Sequence, residues 1–285
     1  MNRVKNPLVN LTASRRSLVI LVVTVAVAVF AAATSANHSW GSYHWARTSN
    51  PFTIKLGDNV SSAWDSYLAK ASSDWTSSTV LNTTVVPGNT GGARRCPATT
   101  GMVEVCADKY GQNGWLGLAS ISVSGSHITS GTVKMNDTYY AMAQYNTPAW
   151  RQMVMCQEIG HTFGLDHQDE IFNNYNLGTC MDYTNDPDGG GSYGPSNVSP
   201  NAHDYDQLVT IYSHTDSSTT IGQSVSGAPA AMGDIDFEGP GQWGREIRKS
   251  ADGRLSLYEL DFGNGHKVFT FVTWALEAKG EGRTH

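Results

Sequence analysis

The segment CQEIGHTFGLDH combines side chains that bind metals with a carboxylate that can act as a base. Residues four apart on a helix lie about 40° apart around its axis, so Gln157 and His161 can face one ion. Glu158 projects beside them, where it can hold a water molecule and accept its proton. Gly164 can end the helix in the left-handed conformation, which lets His167 approach the same ion. The pattern indicates hydrolysis by a metal-activated water, with Glu158 as general base.

Gln157 stands where the pattern H-E-x-x-H has its first histidine. An amide oxygen can bind Zn²⁺, but it is a neutral, harder and weaker donor than an imidazole nitrogen. We therefore expect weaker metal binding, while a more electrophilic ion would acidify its water at least as well. Two hypotheses follow: an active zinc peptidase, or an inactive pseudoprotease that serves as an extracellular protein- or peptide-binding module. The chain keeps Glu158, His161, His167 and Tyr183, which favours the enzyme.

A longer stretch resembles the metzincin clan of zinc endopeptidases, and within it the matrixin-like type. The clan signature is H-E-x-x-H-x-x-G-x-x-H followed by a methionine turn; this chain has QEIGHTFGLDH and, later, CMDY. The resemblance covers the order of elements over residues 40–215, but specific letters only in these two motifs. It implies protein or peptide substrates and a zinc cofactor. The residues it assigns are the base Glu158, the metal ligands Gln157, His161 and His167, the supporting Gly164 and Met181, and Tyr183 as donor to the developing oxyanion.

Two neighbours of the motif, Cys156 and Asp166, are candidates to replace the missing histidine. Cys156 lies about 140° around the helix from His161, so it points elsewhere. Asp166 is an alternative ligand if the turn after the helix differs from that of the family, although a solvated turn residue is the favoured interpretation.

Four cysteines in an exported protein suggest two disulfides, and four cysteines allow three pairings. We favour Cys96 with Cys106, which closes a short loop. Cys156 with Cys180 would then join the start of the motif helix to the methionine turn.

Residues 1–36 have the pattern of a secretory signal peptide: basic residues, then an uncharged run from Leu18 to Ala33 that ends in small residues. An uncleaved membrane anchor is the alternative. The pair Arg15-Arg16 is compatible with export by the twin-arginine route as well as the general secretory route. We expect a secreted protein with no stable membrane partner after removal of this segment.

Charge excludes one class of partner. The segment 1–36 carries four of the 19 Lys and Arg and no acids, so the remainder has 15 basic against 25 acidic residues, a net charge of −10. Nucleic acid is an unsuitable partner, because its binding needs a basic surface.

The remaining pattern predicts an α+β fold. Residues 37–214 should form a metzincin-like catalytic domain with a mixed, twisted sheet, an active-site helix and a methionine turn. Residues 215–232 have linker composition, and 233–285 should form a small antiparallel β subdomain around two turn dipeptides, Asp-Gly and Asn-Gly. The alternating segment HITSGTVKMND is predicted to be an edge strand that an extended peptide could join. A loop with Asp186 and Asp188 is a weak candidate for structural Ca²⁺, since its spacing is no EF-hand loop.

Overall fold

A computed structural model describes Met1 and residues 38–89, 92–224, 227–233 and 235–275. Apart from Met1, the signal peptide predicted for residues 1–36 lies outside the described residues. Within the described ranges no helix is both long and apolar enough to cross a membrane. The strands are β1 (His44–Trp45), β2 (Phe52–Asn59), β3 (Leu81–Pro87), β4 (Val103–Asp108), β5 (Trp115–Ser124), β6 (His127–Asn136), β7 (Arg245–Lys249), β8 (Leu255–Gly263) and β9 (His266–Trp274). The helices are α1 (Asp65–Trp75), α2 (Asp137–Tyr140), α3 (Pro148–His161) and α4 (Ala202–Ile211), with two short 3-10 turns at Ala230–Met232 and Pro240–Gln242.

The strands form one mixed sheet in the order β3-β2-β4-β6-β5-β9-β8-β7, with β1 paired to β6. The pairs among β1, β2, β3, β4 and β6 are parallel, whereas those of β5, β7, β8 and β9 are antiparallel. This sheet with its helices is the α+β architecture that the sequence predicted. Almost every residue of β5 is buried, as expected for a strand whose two faces are both covered.

Helices α1 and α3 pack against each other and contribute to the main core. Trp64, Leu68, Ala71 and Trp75 recur at helical spacing and are all buried, so they form the inner, apolar face of α1 and its start. The indole nitrogen of Trp75 donates to the Cys156 carbonyl at 3.1 Å, a contact that ties α1 to the motif helix.

The C-terminal strands do form antiparallel hairpins, but the predicted separate subdomain is wrong. Strand β9 pairs with β5 from Trp115 to Ser124, so β7, β8 and β9 continue the sheet formed by the strands of residues 37–214. The prediction failed because the hairpin signals are local, whereas the β9 partner lies about 150 residues earlier in the chain.

The predicted edge position of HITSGTVKMND is also wrong. This segment is β6, which pairs with β4 on one side and β5 on the other and is therefore central. Its polar side chains are buried rather than solvated; Thr132 and Lys134 are no more than 1% exposed. The period-two pattern identified the strand but could not place it within the sheet.

Part of the predicted linker is held against the sheet and loops of the preceding residues. Thr220 exchanges two hydrogen bonds with Ala46, and the backbone nitrogen of Gly222 donates to the carbonyl of Gly101. Both predicted disulfides are present, Cys96 with Cys106 and Cys156 with Cys180.

Candidate metal and catalytic site

The motif helix α3 has the start and end that its sequence predicts. The Thr147 hydroxyl accepts from the backbone nitrogen of Trp150 at 3.2 Å, and Pro148 is the first helical residue. The helix ends at His161. Gly164 then has a φ of +98°, and an added Cβ there would lie 2.7 Å from the Tyr43 carbonyl oxygen, so only glycine allows this reversal of the chain.

The reversal brings the two motif histidines together. His161 Nε2 and His167 Nε2 are 3.2 Å apart. His161 Nδ1 lies 2.9 Å from the Leu165 carbonyl, which can only accept, so Nδ1 carries the hydrogen and Nε2 presents its lone pair. Burial, then the neighbouring His167, lower the pKa of His161 well below its usual value, which keeps this ring neutral. A neutral imidazole is the form that binds a metal.

The side chain of Gln157 is completely buried and its orientation is determined by its partners. Its amide nitrogen donates to the Cys180 carbonyl at 3.0 Å, which leaves Oε1 as the free acceptor. That oxygen lies 3.2 Å from the Thr273 hydroxyl, whose single hydrogen it shares with the closer Glu158 Oε1. Gln157 therefore presents the one atom through which an amide binds a metal.

Glu158 is also completely buried. Its Oε1 accepts from Thr273 at 2.8 Å, while Oε2 has no hydrogen-bond partner among the described residues. Burial raises the pKa of this carboxyl to about 8, although the hydrogen bond from Thr273 and the nearby His167 oppose the shift. A carboxyl with a raised pKa and a vacant oxygen is suited to exchange a proton with a bound water.

Acidic side chains surround the outer nitrogen of His167. Nδ1 lies 3.5 Å from Asp166 Oδ1 and 3.6 Å from Glu170 Oε1. Burial opposes the charged ring, but these two carboxylates outweigh it and raise the pKa of His167 to about 9. Asp166 is not free to replace the missing ligand, because both its oxygens contact the guanidinium of Arg248. It orients His167 from behind, as carboxylates commonly do for ligating histidines.

The residues predicted to support the site lie beside it. The sulfur of Met181 packs beneath α3, where a Cβ added to Gly160 would be only 2.6 Å from it. Tyr183 is buried, and its hydroxyl donates to the Trp274 carbonyl at 3.3 Å. The roles of all seven predicted site residues remain predictions, but the fold brings every one of them to the end of α3.

An extended segment of the chain itself crosses this site. The Phe271 ring stacks on His161 with centroids 4.1 Å apart and planes 9° apart, two residues before Thr273. Thr273 contacts Gln157 and Glu158 as described, and the next carbonyl accepts from Tyr183. Strand β9 therefore lies along β5 and covers the candidate site.

Sequence reasoning missed four residues of this arrangement. Alternation along β9 places Phe271 and Thr273 on one face, but nothing local indicates that this face meets α3, 115 residues away. Glu170 follows His167 by three positions, a spacing that could have suggested the contact. Arg248 carries no such signal.

The calcium prediction has no structural support. Asp186 is half-buried and Asp188 is exposed, and neither belongs to a cluster of three or more potential ligands within the described ranges.

No protein-family model matches this sequence, and no curated protein matches it. Among solved structures, the chain is similar to myroilysin at 14% identity and a TM-score of 0.35, over 62% of this chain and 99% of that one. It is also similar to high choriolytic enzyme 1, a hatching enzyme zinc-protease from Oryzias latipes (medaka fish), at 12% identity and a TM-score of 0.33. That match covers 61% of this chain and 96% of the other.

Proposed function

We propose that this chain is an exported zinc-dependent endopeptidase of the metzincin type, with Gln157, His161 and His167 as metal ligands and Glu158 as general base. The observation that carries the proposal is the extended strand across the site. Its Thr273 hydroxyl contacts Gln157 and Glu158, and its Trp274 carbonyl accepts from Tyr183. A cleft that holds one extended polypeptide against β5 has the shape to hold another.

The donor set fits zinc. Ligands about 2.0–2.1 Å from a tetrahedral zinc ion are separated by about 3.3–3.4 Å, close to the 3.2 Å between His161 Nε2 and His167 Nε2. In two of the three predicted ligands, Gln157 and His161, the other polar atom is bonded to a carbonyl, which restricts the orientation of the donor atom. When bound there, zinc would polarise the scissile carbonyl and lower the pKa of the attacking water toward about 7.

Two protein side chains then act on the reacting groups, one by moving a proton and one by stabilising negative charge. Glu158 accepts a proton from the attacking water through Oε2 and delivers it to the leaving amine. Tyr183, whose phenol already donates to a peptide carbonyl, donates to the oxygen that gains charge on attack. Burial keeps the phenol protonated, because it raises the pKa of Tyr183 far above neutral pH.

With β9 in place the protein is latent, because the strand blocks access of a substrate to the site. A substrate needs the face of α3 that Phe271 and Thr273 cover, and it needs the β5 edge that β9 occupies. We therefore infer that β9 must leave the site before a substrate binds, and that the substrate takes its position antiparallel to β5. This places peptide binding on β5 rather than on β6, where the sequence had suggested it.

Glu158→Ala tests the catalytic role. Zinc content should stay the same, since Glu158 is not assigned as a ligand. Chelator-sensitive cleavage of casein, measured after release of the C-terminal strands, should fall at least about a hundredfold. Glu158→Gln serves as the matched control for shape and should be equally inactive. A variant that keeps substantial activity would disprove the assignment of the base.

The alternative is an exported binding module that keeps the cleft without the chemistry. If the released protein holds no zinc at the α3 site and cleaves nothing with zinc added, this alternative becomes the better account. Sequencing the amino terminus of the exported protein would test the signal peptide separately.

A further inference from the structure

A second cluster of potential metal ligands lies apart from α3. It consists of His44 in β1, His127 at the start of β6, and His214 and Asp216 in the segment after α4. Strand β1 pairs with β6 so that His44 and His127 are direct partners in the ladder. The backbone nitrogen of Arg47 donates to Asp216 at 3.1 Å and so holds the third segment against β1.

The ligand atoms of His44, His127 and Asp216 all lie within 4.8 Å of one another, and His214 approaches two of these three residues. The Asp216 Oδ1 atom lies 3.4 Å from His44 Nε2, 3.3 Å from His127 Nε2 and 3.7 Å from His214 Nε2. The Nε2 atoms of His44 and His214 are 3.1 Å apart. The separations of Asp216 Oδ1 from His44 and His127 are close to the about 3.3–3.4 Å edge of a tetrahedron of nitrogen and oxygen ligands around zinc, whereas that from His214 is longer.

Neutral rings alone do not explain the contacts of this cluster. His44 Nδ1 lies 2.8 Å from the Ser42 carbonyl, which can only accept, so in the neutral ring Nε2 is an unprotonated acceptor. That acceptor faces the Asp216 carboxylate, a second acceptor, and the contact requires a cation between them or a charged ring. Three imidazole nitrogens near one carboxylate oxygen resemble the ligands of a metal ion more than the members of a hydrogen-bond network.

The contacts behind the cluster orient its ligand atoms. Asp216 Oδ2 accepts from the guanidinium of Arg47 at 2.9 Å and from the Arg47 backbone, which leaves Oδ1 for the centre. Arg47 is itself buried, so this orientation is fixed by the core. The Ser42 carbonyl plays the same part for His44. Such partners hold the rings and carboxylates of metal sites in a single orientation.

We propose that His44, His127, His214 and Asp216 form a second, structural zinc site. Three imidazole nitrogens and one carboxylate oxygen suit this borderline ion, and four protein ligands leave no open position for a substrate. The side chains of His127 and His214 are 35% and 49% exposed, so an ion can enter from solvent. The ion would join β1 and β6 to the segment that leads from α4 to the C-terminal strands.

Metal counting on the full-length exported protein tests this site separately from the catalytic one. We expect two zinc ions per chain after gel filtration, one of which is lost in His214→Ala and in His127→Ala. His161→Ala, which removes a predicted catalytic ligand, should instead keep the second ion. His203→Ala is the matched control, because it removes a half-buried histidine outside both clusters and should keep both ions.

Two further readouts do not depend on enzymatic activity. Cobalt bound to His161→Ala should show the intense visible absorption of a tetrahedral site, and His161→Ala/His214→Ala should lose it. Zinc should also raise the Tm of His161→Ala but not that of the double variant. The proposal would be overturned if gel filtration removed all zinc from His161→Ala. It would also be overturned if His214→Ala and His127→Ala left the ion count unchanged. A parent protein that binds only the second ion, and none at α3, would contradict the proposed function but not the second zinc site.

Discussion

At the scale of single residues, Gln157 would have two opposed effects as the proposed zinc ligand. Its amide is a weaker ligand than imidazole, yet its nitrogen is held by the Cys180 carbonyl, a contact that does not depend on β9. A ligand held in place loses less entropy on binding than a free side chain. Pre-orientation therefore compensates in part for the weak donor, and the site is better adapted to an amide than the sequence alone indicates.

Gln157→His should tighten zinc binding while changing turnover little. An imidazole is the stronger donor, so the zinc dissociation constant should fall at least about tenfold in competition with a chelator. The kcat for a peptide, measured with zinc in excess, should change by less than that factor, because a stronger ligand makes the ion less electrophilic. Gln157→Leu, which has no donor, is the control and should lose the α3 ion. Unchanged zinc affinity in Gln157→His would show that residue 157 is not a ligand.

At the scale of elements, helix α3 is held by contacts that allow no side chain on its inner face at Gly160. An added Cβ would lie 2.6 Å from the Met181 sulfur and 2.7 Å from Cζ2 of Trp75. The Cys156–Cys180 disulfide links the same helix to the segment that contains Met181. The ligands on α3 and the residues beneath them are thus one packed unit.

Gly160→Ala measures that packing. Alanine should favour the isolated helix by about 1 kcal/mol, so a loss of stability would show that the close contact outweighs helix propensity. We expect a net decrease of about 1–3 kcal/mol in the free energy of unfolding by urea. Gly241→Ala is the control, since nothing lies within 4 Å of its added Cβ, and it should be nearly neutral. If the Gly160 variant were as stable as the parent, α3 would not be tightly packed on Met181.

At the scale of the whole molecule, the C-terminal strands join the catalytic sheet and also cover its site. A second hydrophobic cluster, which includes Trp115, Phe237 and Trp243, extends the core beneath them. The strands are therefore stable in place. Both this packing and covalent attachment would maintain the proposed latency, because attachment keeps β9 at a high effective concentration beside β5.

Cleavage between the catalytic body and β7 should activate the protein. A site for a specific protease can be inserted after Ala228, which is exposed. After cutting and separation of the fragments, kcat/KM for a peptide should rise at least about tenfold, because β9 no longer competes within the same chain. A synthetic peptide of residues 266–275 should restore inhibition, and one with Phe271 and Thr273 replaced by alanine should do so less well. An insertion of equal length that is not cleavable provides the control. A separated catalytic fragment with bound zinc and no activity would argue for the binding module.

The sequence by itself determined the local structure of this protein. The Thr147 cap, the motif residues of α3, the turn at Gly164 and most strands follow from spacing and from backbone preferences, which act over a few residues. The cysteine count predicted two disulfides and allowed three pairings, and the favoured pairing is the one observed. Periodicity even placed Phe271 and Thr273 on one face of their strand.

Only the tertiary structure decided which distant segments meet. Strand order, the pairing of β9 with β5, the contact of Thr273 with Glu158, and the convergence of His44, His127 and Asp216 each join residues far apart in the chain. A strand pattern repeats every two residues and is the same for a central strand and an edge strand, so it carries no information about the neighbour. Partners are selected by the burial of whole faces, and that selection involves the entire folded chain.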